Sequence, residues 1–170
     1  PRTERDLPPA VVLGGSAVLG LAMWRLPAFE MSLPEVALAL LFSFFFVVVS
    51  AQIVGLIGTT AQPISGMTIT ALLLTAALLA AAGYDGRAGA AATLAVAVIV
   101  CSAAALAGDT IQDFKCGALV GATPRALQLG QVLGIVIAAL RAGWLLALLH
   151  AAYTLGSAEL PAPQARLMAT

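Results

Sequence analysis

The chain has 170 residues, 61% of them hydrophobic and only 9% charged, where an ordinary soluble domain is about 45–50% apolar and about 25% charged. A domain of this size keeps too large a surface for so few charges to solvate, so water is the wrong solvent for it. Lys and Arg number eight, Asp and Glu eight, giving a formal net charge of zero, which removes the basic surface that binding of a polyanion such as nucleic acid requires.

Charged residues leave uncharged runs at 7–24, 36–84, 88–108, 126–140 and 142–158. About 20 apolar residues cross the roughly 30 Å hydrocarbon layer, and the second run would make a helix about 74 Å long, so it must turn back once. The turning point is Gly55 to Gly66, where three glycines, a proline and several hydroxyl residues gather. The sequence therefore predicts an all-α membrane protein of about five transmembrane helices, with a glycine- and proline-rich break between the second and third. Their expected bounds are Pro9–Leu26, Pro34–Ile57, Pro63–Ala82, Ala88–Gly108 and Ala126–Ala152. Pro9, Pro34 and Pro63 each suit a first helical turn, where no N–H is needed. The runs lack the period-two alternation of a membrane barrel.

Taken in chain order, the first helix is no signal peptide, because a clear cleavage site is missing and four more spans follow. Five crossings would put Arg2, Arg5, Lys115 and Arg125 on one side and Arg25, Arg87 and Arg166 on the other, which leans towards a cytoplasmic N-terminus. The break at 55–68 is the first site candidate, with Thr59, Thr60, Gln62, Pro63, Ser65, Gly66 and Thr68 as candidate substrate-binding residues. In hydrocarbon an unpaired backbone group costs several kcal/mol, so irregular backbone at depth belongs against protein or a wet cavity. One reading is a discontinuous helix pair whose free backbone groups and hydroxyls bind a polar solute near the midplane; the other is a tight turn at the membrane surface.

The second candidate is 108–125. If this stretch is helical, Asp109 and Asp113 share a face at i,i+4, and a pair of carboxylates so placed is a way to store a coupling proton. The alternative is a solvated loop whose acids balance its bases. Gly117 and Gly121, four apart, could pack closely on a neighbour, and Thr123-Pro124 separates this stretch from the last helix. Lys115 and Arg141 complete the candidate proton-coupling or ion-pair set. Arg141 stands inside an apolar run, where it costs about 2.5–3.5 kcal/mol; it either pairs with Asp109 or Asp113 and faces a cavity, or snorkels to the interface and stacks on Trp144. Cys101 and Cys116 read as packing residues, because a single His cannot complete a zinc site with them. Neither a metal nor a cofactor is expected. Ser65 lacks a Gly-x-Ser-x-Gly setting, no His-Glu-x-x-His string occurs, and His150 beside Tyr153 reads as interfacial, so an enzyme is not expected.

The string Gly58-Thr59-Thr60-Ala61-Gln62-Pro63-Ile64-Ser65-Gly66-Met67-Thr68-Ile69, then Ala107-Gly108-Asp109-Thr110-Ile111-Gln112-Asp113-Phe114-Lys115 and Leu119-Val120-Gly121-Ala122-Thr123-Pro124-Arg125, closely resembles the oligopeptide transporter (OPT) family, with the bacterial branch the nearest match. The resemblance runs from about Ala51 to Thr170 and includes Leu160-Pro161-Ala162-Pro163-Gln164-Ala165. It implies a multi-pass secondary transporter in a cell membrane, the inner one in a bacterium. Such a carrier couples protons to uptake of small peptides or, in the related yellow-stripe branch, metal-chelate complexes.

The implied partners are thus the oligopeptide or metal-chelate substrate, protons, the lipid bilayer and the remaining helices of a parent transporter. Family members have many more helices than five. The chain begins at Pro1 without Met, and its close reads as the lead-in to another helix, so an internal piece of a longer transporter is expected. The chain departs from the family pattern at Ala61-Gln62, where Ser-Asn is expected, and near Cys116, where Thr is expected. Gln62 keeps an amide one methylene longer, a change that bears on substrate range more than on transport. The competing reading is a helical membrane subunit or scaffold that transports nothing.

Overall fold

A computed structural model describes residues 5–27, 29, 31–58 and 62–161. The described residues form five helices and no strand: α1 (Pro9–Arg25), α2 (Leu33–Ile57), α3 (Ile64–Ala81), α4 (Gly86–Leu119) and α5 (Pro124–Tyr153). Four of them, α2 to α5, are long and apolar enough to cross a membrane, whereas α1 has 17 residues and falls short of that length. The chain divides into two units, 1–124 and 125–170.

Within the first unit α4 is the central helix, packing along α2 and α3, while α1 rests on α2. The periodicity of buried residues explains the arrangement. On α2 they are Val36, Ala39, Phe46, Ser50 and Val54, and on α3 Met67, Thr68, Ala71, Thr75 and Leu79, each set spaced at about three, four or seven and so confined to one stripe. On α4 the stripe runs through Gly89, Ala92, Val96, Val100, Ala104, Ala107 and Gly108 and is mostly small. Lipid tails are as apolar as leucine, so association in a membrane depends on close van der Waals packing, which small residues permit. A Cβ on Gly20 of α1 would sit 2.9 Å from Leu40 of α2, and one on Gly89 would sit 2.5 Å from the Tyr84 carbonyl.

The helix ends follow local chemistry. Ser32 and Glu35 form a capping box at the start of α2, with Pro34 in the first turn. Gly58 ends α2 in the left-handed region at φ 74°, where a side chain would be strained. Pro63 is the residue before α3 rather than its first member. α3 and α4 each end in a Schellman turn on a left-handed glycine: Tyr84 N–H bonds Leu79 O at 2.9 Å after Gly83, and Ala122 N–H bonds Gly117 O at 2.8 Å after Gly121.

The main departure from the expected bounds is α4. It does not stop at Gly108 but continues through Asp109, Asp113 and Lys115 to Leu119, a length of about 50 Å. The charges that end an apolar run do not end a helix. Nothing from Asp109 to Leu119 removes a backbone N–H, and Ala104, Ala107 and Gly108 pass the buried stripe on to Gly117.

In the second unit, α5 is 30 residues long with none buried, and His150 lies in its last turn. The His150 Nδ1 accepts a bond from Leu155 N–H at 3.2 Å just beyond the helix.

Candidate functional site

The Gln62 side chain does not sit beyond the end of α2. Gln62 lies beside Ser50, which is seven residues before Ile57 and so about 10 Å back along the helix. The Ser50 hydroxyl donates within hydrogen-bond reach of two acceptors, Gln62 Oε1 and the Ala104 carbonyl, the latter at 2.7 Å. Gln62 Nε2 in turn donates to the Ala105 carbonyl at 3.2 Å. One amide thus ties the break to α2 and α4 at once.

Gly108 makes this possible. A Cβ there would come within 2.6 Å of Gln62 Cδ and Oε1, so any side chain would expel the amide. Its absence also leaves the carbonyls of the preceding turn open, and each carbonyl oxygen has a second lone pair after its helical bond. Ser50 is fully buried, and in an apolar layer such groups need partners in the protein itself.

Beyond this junction the end of α2 and the extension of α4 enclose a cavity of about 570 Å³, lined by Val54, Gly55 and Gly58 on one side and by Gln112, Lys115 and Cys116 among others on α4. Its volume lies within the range of about 300–1,000 Å³ typical of small-molecule sites. Gly55 faces Ile111 of α4, whose Cγ2 would lie in ordinary van der Waals contact, at 3.6 Å, with a Cβ there. The cavity offers one cation, one amide and one thiol on an otherwise apolar wall.

The predicted residues fall into distinct places. Gln62 joins the two motifs, and Thr68 is buried on α3 with its hydroxyl bonded to Ile64 O at 2.8 Å. Pro63, Ser65 and Gly66 are exposed, and Gly66 has no atom near a Cβ position. Thr59 and Thr60 lie outside the described residues. Asp109 and Asp113 stand at i,i+4 on a continuous helix and are both exposed, as is Lys115. Arg141 is exposed on α5. The observed cation–π contact is Arg25 over Trp24, at 4.3 Å. Cys116 is exposed and Cys101 half-buried, so the expectation of a packed cysteine does not hold for Cys116.

Sequence reasoning missed Ser50 and treated Gly108 only as a boundary. A signal was present: Ser43 and Ser50, the two hydroxyl residues of α2, are seven apart and hence on one face. It missed Ser32 and Glu35 as well, although Ser-x-x-Glu before an apolar run marks a capping box. The family described as OPT oligopeptide transporter protein matches residues 1–170. No curated protein and no solved structure matches the chain.

Proposed function

Because the chain belongs to the OPT oligopeptide transporter family, a family of membrane transporters, we propose that it forms part of a proton-coupled secondary carrier for small peptides, or for peptide-like and metal-chelate solutes. The observation that carries this reading is the Gln62 amide between Ser50 and the Ala104–Ala105 carbonyls. It supports a break folded back between helices rather than a turn at their end. A discontinuous helix pair supplies free backbone groups, which suit a solute made of amides.

In this reading Thr59, Thr60, Gln62, Pro63, Ser65, Gly66 and Thr68 form the substrate-binding segment. Asp109 and Asp113, with Lys115 and Arg141, carry the coupling charge, as intramembrane or membrane-edge ionisable groups commonly do. Of these residues Lys115 lines the cavity between the end of α2 and α4. A solute amide competing for Gln62 would release its hold on α4, which gives substrate binding a route to helix movement.

The experiment is uptake by the full polypeptide that carries this chain, in proteoliposomes with an imposed pH gradient, comparing labelled dipeptides and tripeptides with metal chelates. Accumulation that depends on the gradient is expected for one class. Accumulation of neither by folded protein would overturn the proposal and leave a non-transporting subunit.

A further inference from the structure

At the far end of α2 and α4 from the break lies a second cavity, of about 310 Å³, which no step of the proposed transport uses. Its lining combines the Glu35 carboxyl group with Tyr84, Phe29 and Met31. The rest of the lining is Ala88, Ala91, Ala92 and Ala95, spaced as one face of α4 with side chains of minimal size.

Glu35 is 7% exposed. Its Oε1 accepts the Ser32 hydroxyl at 2.6 Å and its Oε2 the Ser32 N–H at 3.3 Å. Tyr84 donates to Ser32 Oγ at 3.0 Å, so a chain of donors runs from the α3–α4 turn to the carboxylate. A carboxylate has about four acceptor positions, and these bonds use two. Among the described residues no Lys, Arg or His pairs with it. The remaining acceptor positions suit the N–H donors of a cation entering the cavity.

The lining also selects the kind of cation. A hard metal ion wants about six oxygen ligands, and no group of three His, Cys, Asp or Glu able to hold a metal occurs among the described residues. An organic ammonium needs less: one carboxylate for its N–H donors and aromatic faces for its charge. We infer that the Glu35 cavity is a binding site for a protonated primary amine, of the kind a peptide carries at its amino terminus or on a lysyl side chain. The site is separate from the break, and because dialanine also belongs to the solute class proposed for the break, only the binding that Glu35→Gln removes is assigned to this cavity.

Capping chemistry supplies a clean test. The third position of a capping box accepts Gln as well as Glu, so Glu35→Gln keeps an acceptor for the Ser32 N–H at the helix start while removing the charge and one acceptor oxygen. Binding of labelled dialanine, N-acetyl-dialanine and N-acetyl-lysine would be measured at fixed pH on the full polypeptide in lipid nanodiscs, with circular dichroism confirming that wild type and variant have equal helix content. Wild type should bind a free-amine probe at least about tenfold more tightly than Glu35→Gln does, and N-acetyl-dialanine should show no such difference. Preference for dialanine assigns an amino terminus, and preference for N-acetyl-lysine a side chain. Equal binding by wild type and Glu35→Gln, or N-acetyl-dialanine bound as well as dialanine, would overturn the inference.

Discussion

Gln62 is held on one side by the Ser50 hydroxyl and on the other by the Ala105 carbonyl, and both contacts pass over the bare Cα of Gly108. Glycines at two positions should therefore respond oppositely. Gly108→Ala places a methyl where the amide sits, and overpacking of this kind costs about 1–3 kcal/mol, more than the gain of up to about 1 kcal/mol in helix propensity. Gly66→Ala meets open space and keeps only the gain. Thermal unfolding in detergent should thus show a lowered midpoint for the first and an equal or raised one for the second. The reverse order would show that Gln62 is not held against α4.

At the same scale, Gln62→Leu leaves Ser50 bonded to Ala104 O and should cost about 1–2 kcal/mol in stability while lowering uptake at least about tenfold. Gln62→Asn keeps the amide and should retain uptake with an altered order of preferred substrates. Uptake by Gln62→Leu equal to wild type would remove the amide from the transport path. Asp109→Asn and Asp113→Asn, which change charge and not shape, should each abolish accumulation driven by a pH gradient and leave folding intact. Unchanged accumulation in both would end the coupling role.

Among the elements, α4 separates what sequence reading reaches from what it does not. Its start, its apolar middle and the glycine stop at Gly121 are all local signals. The placing of its end at Gly108 failed because charge was read as a boundary, whereas a helix in the membrane ends where hydrogen bonding or backbone geometry demands it. Gly121 has φ 70° and open space around it, so Gly121→Ala should cost about 1–2 kcal/mol from backbone strain alone. That loss should appear as a lowered unfolding midpoint, and an unchanged one would mean that the turn is not held in this form.

The long α4 has a second consequence. Measured from Gly86, Cys101 stands at about 22 Å and Cys116 at about 45 Å along the helix, against a hydrocarbon layer of roughly 30 Å. An impermeant maleimide should label Cys116 in intact proteoliposomes and spare Cys101. Labelling of Cys101 with Cys116 protected would place the helix in the bilayer with the opposite offset. The shorter α1 and the single-residue shifts at α2 and α3 are smaller matters: Pro34 and Pro63 were placed near a helix start on correct grounds, because neither position needs a donor.

For the molecule as a whole, composition determined the solvent, and the length of the apolar runs with their lack of period-two alternation determined the helical class. With no water to satisfy backbone groups, a helical segment bonds within itself, using only residues four apart. That locality is why helix count, a break within 55–66 and the motifs around Gln62 and Asp109 were legible in one dimension. Which polar groups meet was decided by tertiary structure. Ser50, Gln62 and Ala105 come together only when the Gln62 amide lies between α2 and α4 over Gly108. Glu35 meets Tyr84 through Ser32 only because α2 and the start of α4 lie side by side. Those meetings depend on how small residues set the closeness of two helices, a property of paired surfaces that neither segment carries alone.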